Sequence, residues 1–197
     1  MPRPKAFDRE DILEKAMRLF WQKGFHGTSV QDLVDHLGIN RSTMYASFGD
    51  KNQLFLDSLK YYRSRQKEVM KETIGKKASF RSFLDSFLKD TIEEILTDPD
   101  RKGCFIVNAS VDRAAEDPQA CSELQHNLRE FTDTFSHLMN VAKEDKEIAP
   151  HTDTEKMAQF LYNTISGMRV LGRTNPPRHV LENIREVTLQ TILKGGN

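Results

Sequence analysis

The feature that most narrows what this chain can become is the stretch Thr28 to Lys51, TSVQDLVDHLGINRSTMYASFGDK, in which two short helical patterns flank a glycine. Thr28 with Gln31 has the capping-box spacing, and Val30, Leu33, Val34 and Leu37 then recur at helical intervals. Gly38 ends that pattern, because glycine takes the positive φ a sharp turn needs, and Ile39 is placed to plug the angle between the helices. Asn40 suits the N-cap of a second helix, Arg41 to about Phe48, which has Met44 and Phe48 to bury one turn apart. Arg41, Ser42, Thr43, Ala46 and Ser47 stay on its other faces.

Two helices joined this way form a helix-turn-helix, whose second helix enters the DNA major groove with its N-terminal residues toward base edges. Arg41 and Ser42 hold that position. An arginine there can donate two hydrogen bonds to guanine O6 and N7, while a serine hydroxyl reads less stringently.

Gly38-Ile39-Asn40-Arg41-Ser42-Thr43-Met44-Tyr45, followed by Phe48 and Lys51, resembles the DNA-binding signature of the TetR family of one-component bacterial repressors. The similarity reaches back through Ile12, Ala16, Leu19, Phe20, Gly24, Phe25 and Thr28, roughly the first quarter of the chain. One departure is Val34, where the family more often has alanine. The resemblance implies that Thr28, Thr43, Tyr45, Ser47 and Lys51 hold the sugar-phosphate backbone, contacts that set register rather than sequence. It also implies a homodimer on a palindromic double-stranded operator, paired through the last two helices, with a small-molecule effector bound in the middle of the chain.

Upstream, Asp8 can cap a first helix whose Ile12, Ala16, Leu19 and Phe20 face inward and which Gly24 ends. Met1 to Phe7, with Arg3 and Lys5 beside two prolines, looks like an arm that either frays or adds phosphate contacts. Downstream, Asp50 and Gln53 repeat the capping spacing and open a connecting helix from Lys51 to about Ile74. After a polar break at Gly75-Lys76-Lys77, Ser79 starts a helix with Phe80, Phe83, Leu84, Phe87, Leu88, Ile92 and Ile95 on one side. A short helix runs from Cys104 to about Arg113, and Asp117-Pro118 opens a long one to about Lys143. Thr152 or Asp153 caps the next, in which Gly167 points to close packing; Asn175-Pro176-Pro177 breaks the chain before a last helix from about Arg178 to Lys194. That helix has a broader apolar stripe than one neighbour covers, which fits a partner subunit. The expected fold is all-α with about nine helices: a helix-turn-helix domain over residues 1–50 and a helical effector-binding and dimerisation domain over 51–197.

Composition sets the outer limits. The 29 basic and 29 acidic residues cancel, so only a local basic surface can attract nucleic acid. Two cysteines among 197 residues are too few for a disulfide framework, and Asp8-Arg9-Glu10-Asp11 stands where an export signal would be apolar. No run approaches the roughly 20 apolar residues of a membrane span, so the expected location is the cytoplasm.

The effector pocket is expected among Phe83, Phe87, Phe105, Phe131, Phe135, Tyr162 and Met168, with Asn108, His137 or Arg169 as polar anchors, a set suited to an apolar or aromatic molecule. Cys104 follows Arg101-Lys102-Gly103 at a helix start, where positive charge favours a reactive thiol, and some TetR-family members sense electrophiles or oxidants through a cysteine. The competing assignment is a small buried apolar residue. No glycine-rich phosphate loop, HExxH, paired CxxC or nucleophile elbow argues for an enzyme or a cofactor. His126, Glu130, Asp133 and His137 share a helix, a coincidence common in a charged sequence, and no metal site is expected. A helical interaction module without DNA binding, or an activator on the same fold, are the alternatives.

Overall fold

The computed structural model describes residues 8–74 and 79–194. The N-terminal arm and the Gly75-Lys76-Lys77 break lie outside them. The described residues form nine helices and no strand: α1 Arg9–Lys23, α2 Val30–Leu37, α3 Arg41–Phe48, α4 Lys51–Ile74, α5 Phe80–Thr97, α6 Phe105–Arg113, α7 Pro118–Glu144, α8 Thr154–Gly172 and α9 Arg178–Lys194.

Most ends are set by local chemistry. Asp8, Asn40, Ser79, Asp117 and Asp153 each accept a backbone N–H from the first turn that follows, satisfying groups a helix start leaves unpaired. Gly24 and Gly38 take φ of +74° and +66° to close α1 and α2, a region costly for any residue with a Cβ. The start of α2 corrects the expectation from spacing. Ser29, not Thr28, is the cap, and its partner is Asp32 rather than Gln31, with reciprocal bonds of 3.0 and 2.9 Å. Thr28 turns its hydroxyl back to the Gly24 carbonyl at 2.7 Å instead.

The first hydrophobic cluster joins Ile12, Ala16, Phe20, Leu33, Met44 and Phe48 of the head to Phe55, Leu59 and Tyr62 of α4 and to Phe105, Ile106 and Ala109 of α6. A second cluster, built on Phe83, Leu88, Phe135, Met139, Leu161 and Ile192, fills the C-terminal helices, and a third holds Ile92, Ile95, Met168 and Leu181. The head therefore packs on the rest of the chain through one continuous core.

The two glycines of α8 differ. A Cβ on Gly167 would meet nothing within 4 Å, so no packing among the described residues accounts for it. A Cβ on Gly172 would lie 2.5 Å from Cγ2 of Ile95, a branched methyl that cannot swing aside. Gly172→Ala should cost about 1–3 kcal/mol through overpacking, measured as a lower denaturant midpoint.

Candidate nucleic-acid interface

The second helix of the motif is gripped from behind and open in front. Met44 is fully buried and Phe48 nearly so, which fixes the rotation of α3 about its axis. Arg41, Ser42, Tyr45 and Ala46 are exposed on the other side, with Thr43 and Ser47 half-buried beside them. The Asn40 carboxamide oxygen accepts the Thr43 N–H at 2.8 Å and the Ser42 hydroxyl at 2.7 Å, so the cap also orients the serine. The Arg41 and Tyr45 side chains make no hydrogen bond or ion pair within the described residues, and Tyr45 is 46% exposed rather than packed between the head helices. A guanidinium, a phenol and two hydroxyls are thus presented together on a rigid helix, the donor set that duplex DNA takes.

Two of the expected backbone contacts sit differently. Thr28 has no exposed surface and its hydroxyl is spent on Gly24, so its side chain offers nothing to a phosphate. Lys51 is half-buried, with Nζ 4.2 Å from the centre of the Phe25 ring. Burial, then the nearby Arg113 guanidinium, draw its pKa below the ordinary lysine value, against opposing pulls from Asp112 and Asp32. Arg9 had no signal in the sequence, yet it braces the end of α3. It donates to the Ser47 carbonyl at 2.7 Å, lies over the Phe48 ring at 4.5 Å and pairs with Asp57 of α4 at 2.9 Å.

The residues expected to form one effector pocket fall into separate places. Phe83, Phe87, Phe131, Phe135 and Tyr162 do make one run of rings across α5, α7 and α8, with neighbouring centroids 4.3–6.1 Å apart. Phe105 instead fills the head core against Phe55 at 5.7 Å and Tyr62 at 5.8 Å, and Met168 belongs to the third cluster. His137 is on the surface. Asn108 is occupied with the Lys102 carbonyl and Arg173, and Arg169 with Glu94 at 2.7 Å. Cys104 is half-buried at the N-cap of α6, its Sγ 3.7 Å from the Tyr62 hydroxyl.

A cleft of about 260 Å³ opens between α4 and α7, and only Phe131 and Phe135 of the expected set line it. Met70 and Ile74 of α4 complete the apolar floor, and Arg63, Lys67 and Glu130 stand at the rim. Both cations pair with Glu130, at 3.2 and 2.9 Å. The i, i+4 spacing of Met70 and Ile74 was the available sequence signal. Among the described residues no His, Cys, Asp and Glu side chains gather as metal ligands, and no helix is long and apolar enough to cross a membrane.

An all-α chain with a capped, half-exposed recognition helix on an N-terminal three-helix head is a helix-turn-helix DNA-binding protein. Residues 12–57 match the family model described as bacterial regulatory proteins, tetR family, and residues 82–186 match the tetracyclin repressor-like C-terminal domain. The transcriptional repressor ComR of Escherichia coli is 31% identical over 191 residues, covering 95% of this chain and 90% of ComR. The HTH-type regulator YezE of Bacillus subtilis is 27% identical across 98% of this chain and all of YezE. A cysteine mutant of the TetR-family regulator CifR, solved with a 26-base-pair operator, superposes with a TM-score of 0.84 at 28% identity, covering 95% of this chain and 98% of that one. The chain belongs to the TetR family and is a DNA-binding transcriptional regulator, not an enzyme.

Lys23 and then Ser29 hold the Asp32 carboxyl well below the usual aspartate range. A depressed folded-state pKa contributes stability above the unfolded value of 3.8 and loses it as the pH falls through that value toward the folded one. Asp32→Asn should therefore be less stable than the parent at pH 7, with the gap in unfolding midpoint closing below pH 3.8. Ser29→Ala should cost about 0.5–2 kcal/mol at neutral pH.

Proposed function

We propose that this protein is a cytoplasmic repressor that binds an inverted-repeat operator as a homodimer and is released by a small molecule. Residues 1–50 read DNA and residues 51–197 bind the effector and the partner subunit. Arg41 and Ser42 carry the reading: both are exposed at the start of a helix whose opposite face is locked into the core. The repressor name of ComR supports the direction of control.

One short helix covers only a few base pairs, so two heads must act together. A two-fold dimer places them about 34 Å apart, one turn of B-DNA. The outer faces of α8 and α9 suit such pairing. Phe160, Val170 and Val187 are 39%, 52% and 60% exposed there, and the bare backbone of Gly167 allows close approach of another helix. The cleft between α4 and α7 suits an apolar or aromatic effector against Phe131, Phe135, Met70 and Ile74. Because α4 also begins at the head, an effector that binds the DNA-competent arrangement tenfold less tightly supplies about 1.4 kcal/mol toward release.

A second reading of the effector rests on Cys104. The thiol is half-buried at the N-terminus of α6, unspent on capping, beside Tyr62 and in the core cluster that carries the head. Addition of its sulfur to an electrophile would enlarge a residue wedged between α4 and α6.

DNA selected from a random pool should converge on inverted repeats. Arg41→Ala should lower affinity for the selected site by about 1–3 kcal/mol and relax preference at one position of each half-site. In sedimentation, the parent should be a dimer at micromolar concentration, and Val187→Glu should shift it to monomer with loss of operator binding. An operator-bound monomer would overturn the two-headed reading. Cys104→Ser should leave DNA binding unchanged while abolishing any response to a thiol-reactive electrophile; a retained response would exclude Cys104.

A further inference from the structure

Lys51 is the first residue of α4, where a cation faces the positive end of the helix dipole. It makes no ion pair with a described residue. Besides the more distant charges of Asp112 and Asp32, the ammonium has the Phe25 ring beside it, with Nζ 4.2 Å from the centroid, within the range of a cation–π contact. Lys51 is half-buried, so part of its side chain stays open to solvent.

Phe25 is itself held from several directions. Its N–H donates to Asp112 Oδ2 at 3.0 Å, and its ring meets Phe55 edge-on at 5.1 Å. The Arg113 guanidinium carbon lies 3.9 Å from the same ring centre. Arg113 is pinned in turn by Asp117 at 2.9 Å and by the Asn52 carboxamide oxygen at 3.0 Å. Asn52 is the neighbour of Lys51, so the end of α6 holds both the ring and the backbone from which the lysine projects.

We infer that Phe25 is a positioning residue for DNA binding: its ring, set by the end of α6, holds the Lys51 ammonium where the operator backbone brings a phosphate. This rests on the reading of Lys51 as a phosphate contact and goes beyond it by assigning what orients that contact. A lysine side chain has four rotatable bonds, and fixing it before DNA arrives removes part of the ordering cost of binding. Desolvation and the neighbouring Arg113 charge disfavour the ammonium, Asp112 and Asp32 favour it without forming an ion pair with it, and a phosphate oxygen would add a direct partner. Because Asp112 holds the Phe25 backbone and Arg113 its ring, displacement of α6 would move the lysine as well.

The test is a double-mutant cycle on binding to duplex DNA chosen by selection, followed across a salt series. Lys51→Met should weaken binding to all sequences alike and reduce the salt slope by about one per head. Phe25→Leu should cost roughly two- to fivefold in affinity, the scale of a partly exposed cation–π contact. Combined with Lys51→Met it should cost nothing more, and Phe25→Tyr, which keeps the ring, should bind as the parent does. A Phe25→Leu loss that persists in full without Lys51 overturns the positioning role and leaves the phosphate contact standing. An unchanged affinity and salt slope for Lys51→Met overturns both, while Arg41→Ala still reports the head itself. If Phe25→Leu fails to fold, the intact protein gives an independent answer. The ε-methylene protons of Lys51 should be shifted upfield by the ring in an NMR spectrum of the free protein, and unshifted protons overturn the proposal.

Discussion

The rest of the structure depends on a head that does not close a core of its own. Three helices of 15, 8 and 8 residues are too little chain to bury a sufficient core alone. Phe20, Leu33, Met44 and Phe48 are completed by Phe55, Leu59 and Tyr62 of α4 and by Phe105, Ile106 and Ala109 of α6. Close-packed side chains transmit displacement rather than absorb it. The recognition helix is therefore held in place by contacts that include α4 and α6.

Polar contacts give that apolar junction a definite register. The α1–α2 turn is tied to α6 and to the turn after it by directed bonds. Asp112 accepts the Phe25 N–H, His26 Nε2 lies 3.0 Å from Glu116, and Arg113 joins Asn52 of α4 to the α7 cap Asp117. Arg113 and Asp117 are both buried, so each leaves a costly uncompensated charge without the other. Five segments meet at this point, which makes it the place where the head and the C-terminal helices are held in one arrangement.

The exposed face of α3 was legible in the sequence because it is built from short-range rules. Asn40 caps its own helix, Gly38 turns the chain, and Met44 with Phe48 marks the inward face, all within a few residues. The same rules misplaced the start of α2. Thr28 and Ser29 both offer a hydroxyl in capping position, and the choice between them was made by a carbonyl of the preceding turn, Gly24, together with the pull of Lys23 on Asp32 at 2.6 Å. The expected pocket failed for a related reason. Apolar periodicity says that Phe105, Phe131, Phe135 and Met168 point inward but not into which interior, and the described residues form three clusters.

By itself, then, the sequence determined the helices, nearly all their ends and most of the inward faces, because caps, turns and periodicity act over one to four residues. Only the tertiary structure decided that Lys51 lies on Phe25, that Arg9 braces α3, that Gly172 rather than Gly167 is sterically required within the chain, and that the cleft opens between α4 and α7. Those outcomes join residues tens of positions apart, and they follow from how helices of fixed amphipathicity rotate and settle against one another, which no local pattern encodes.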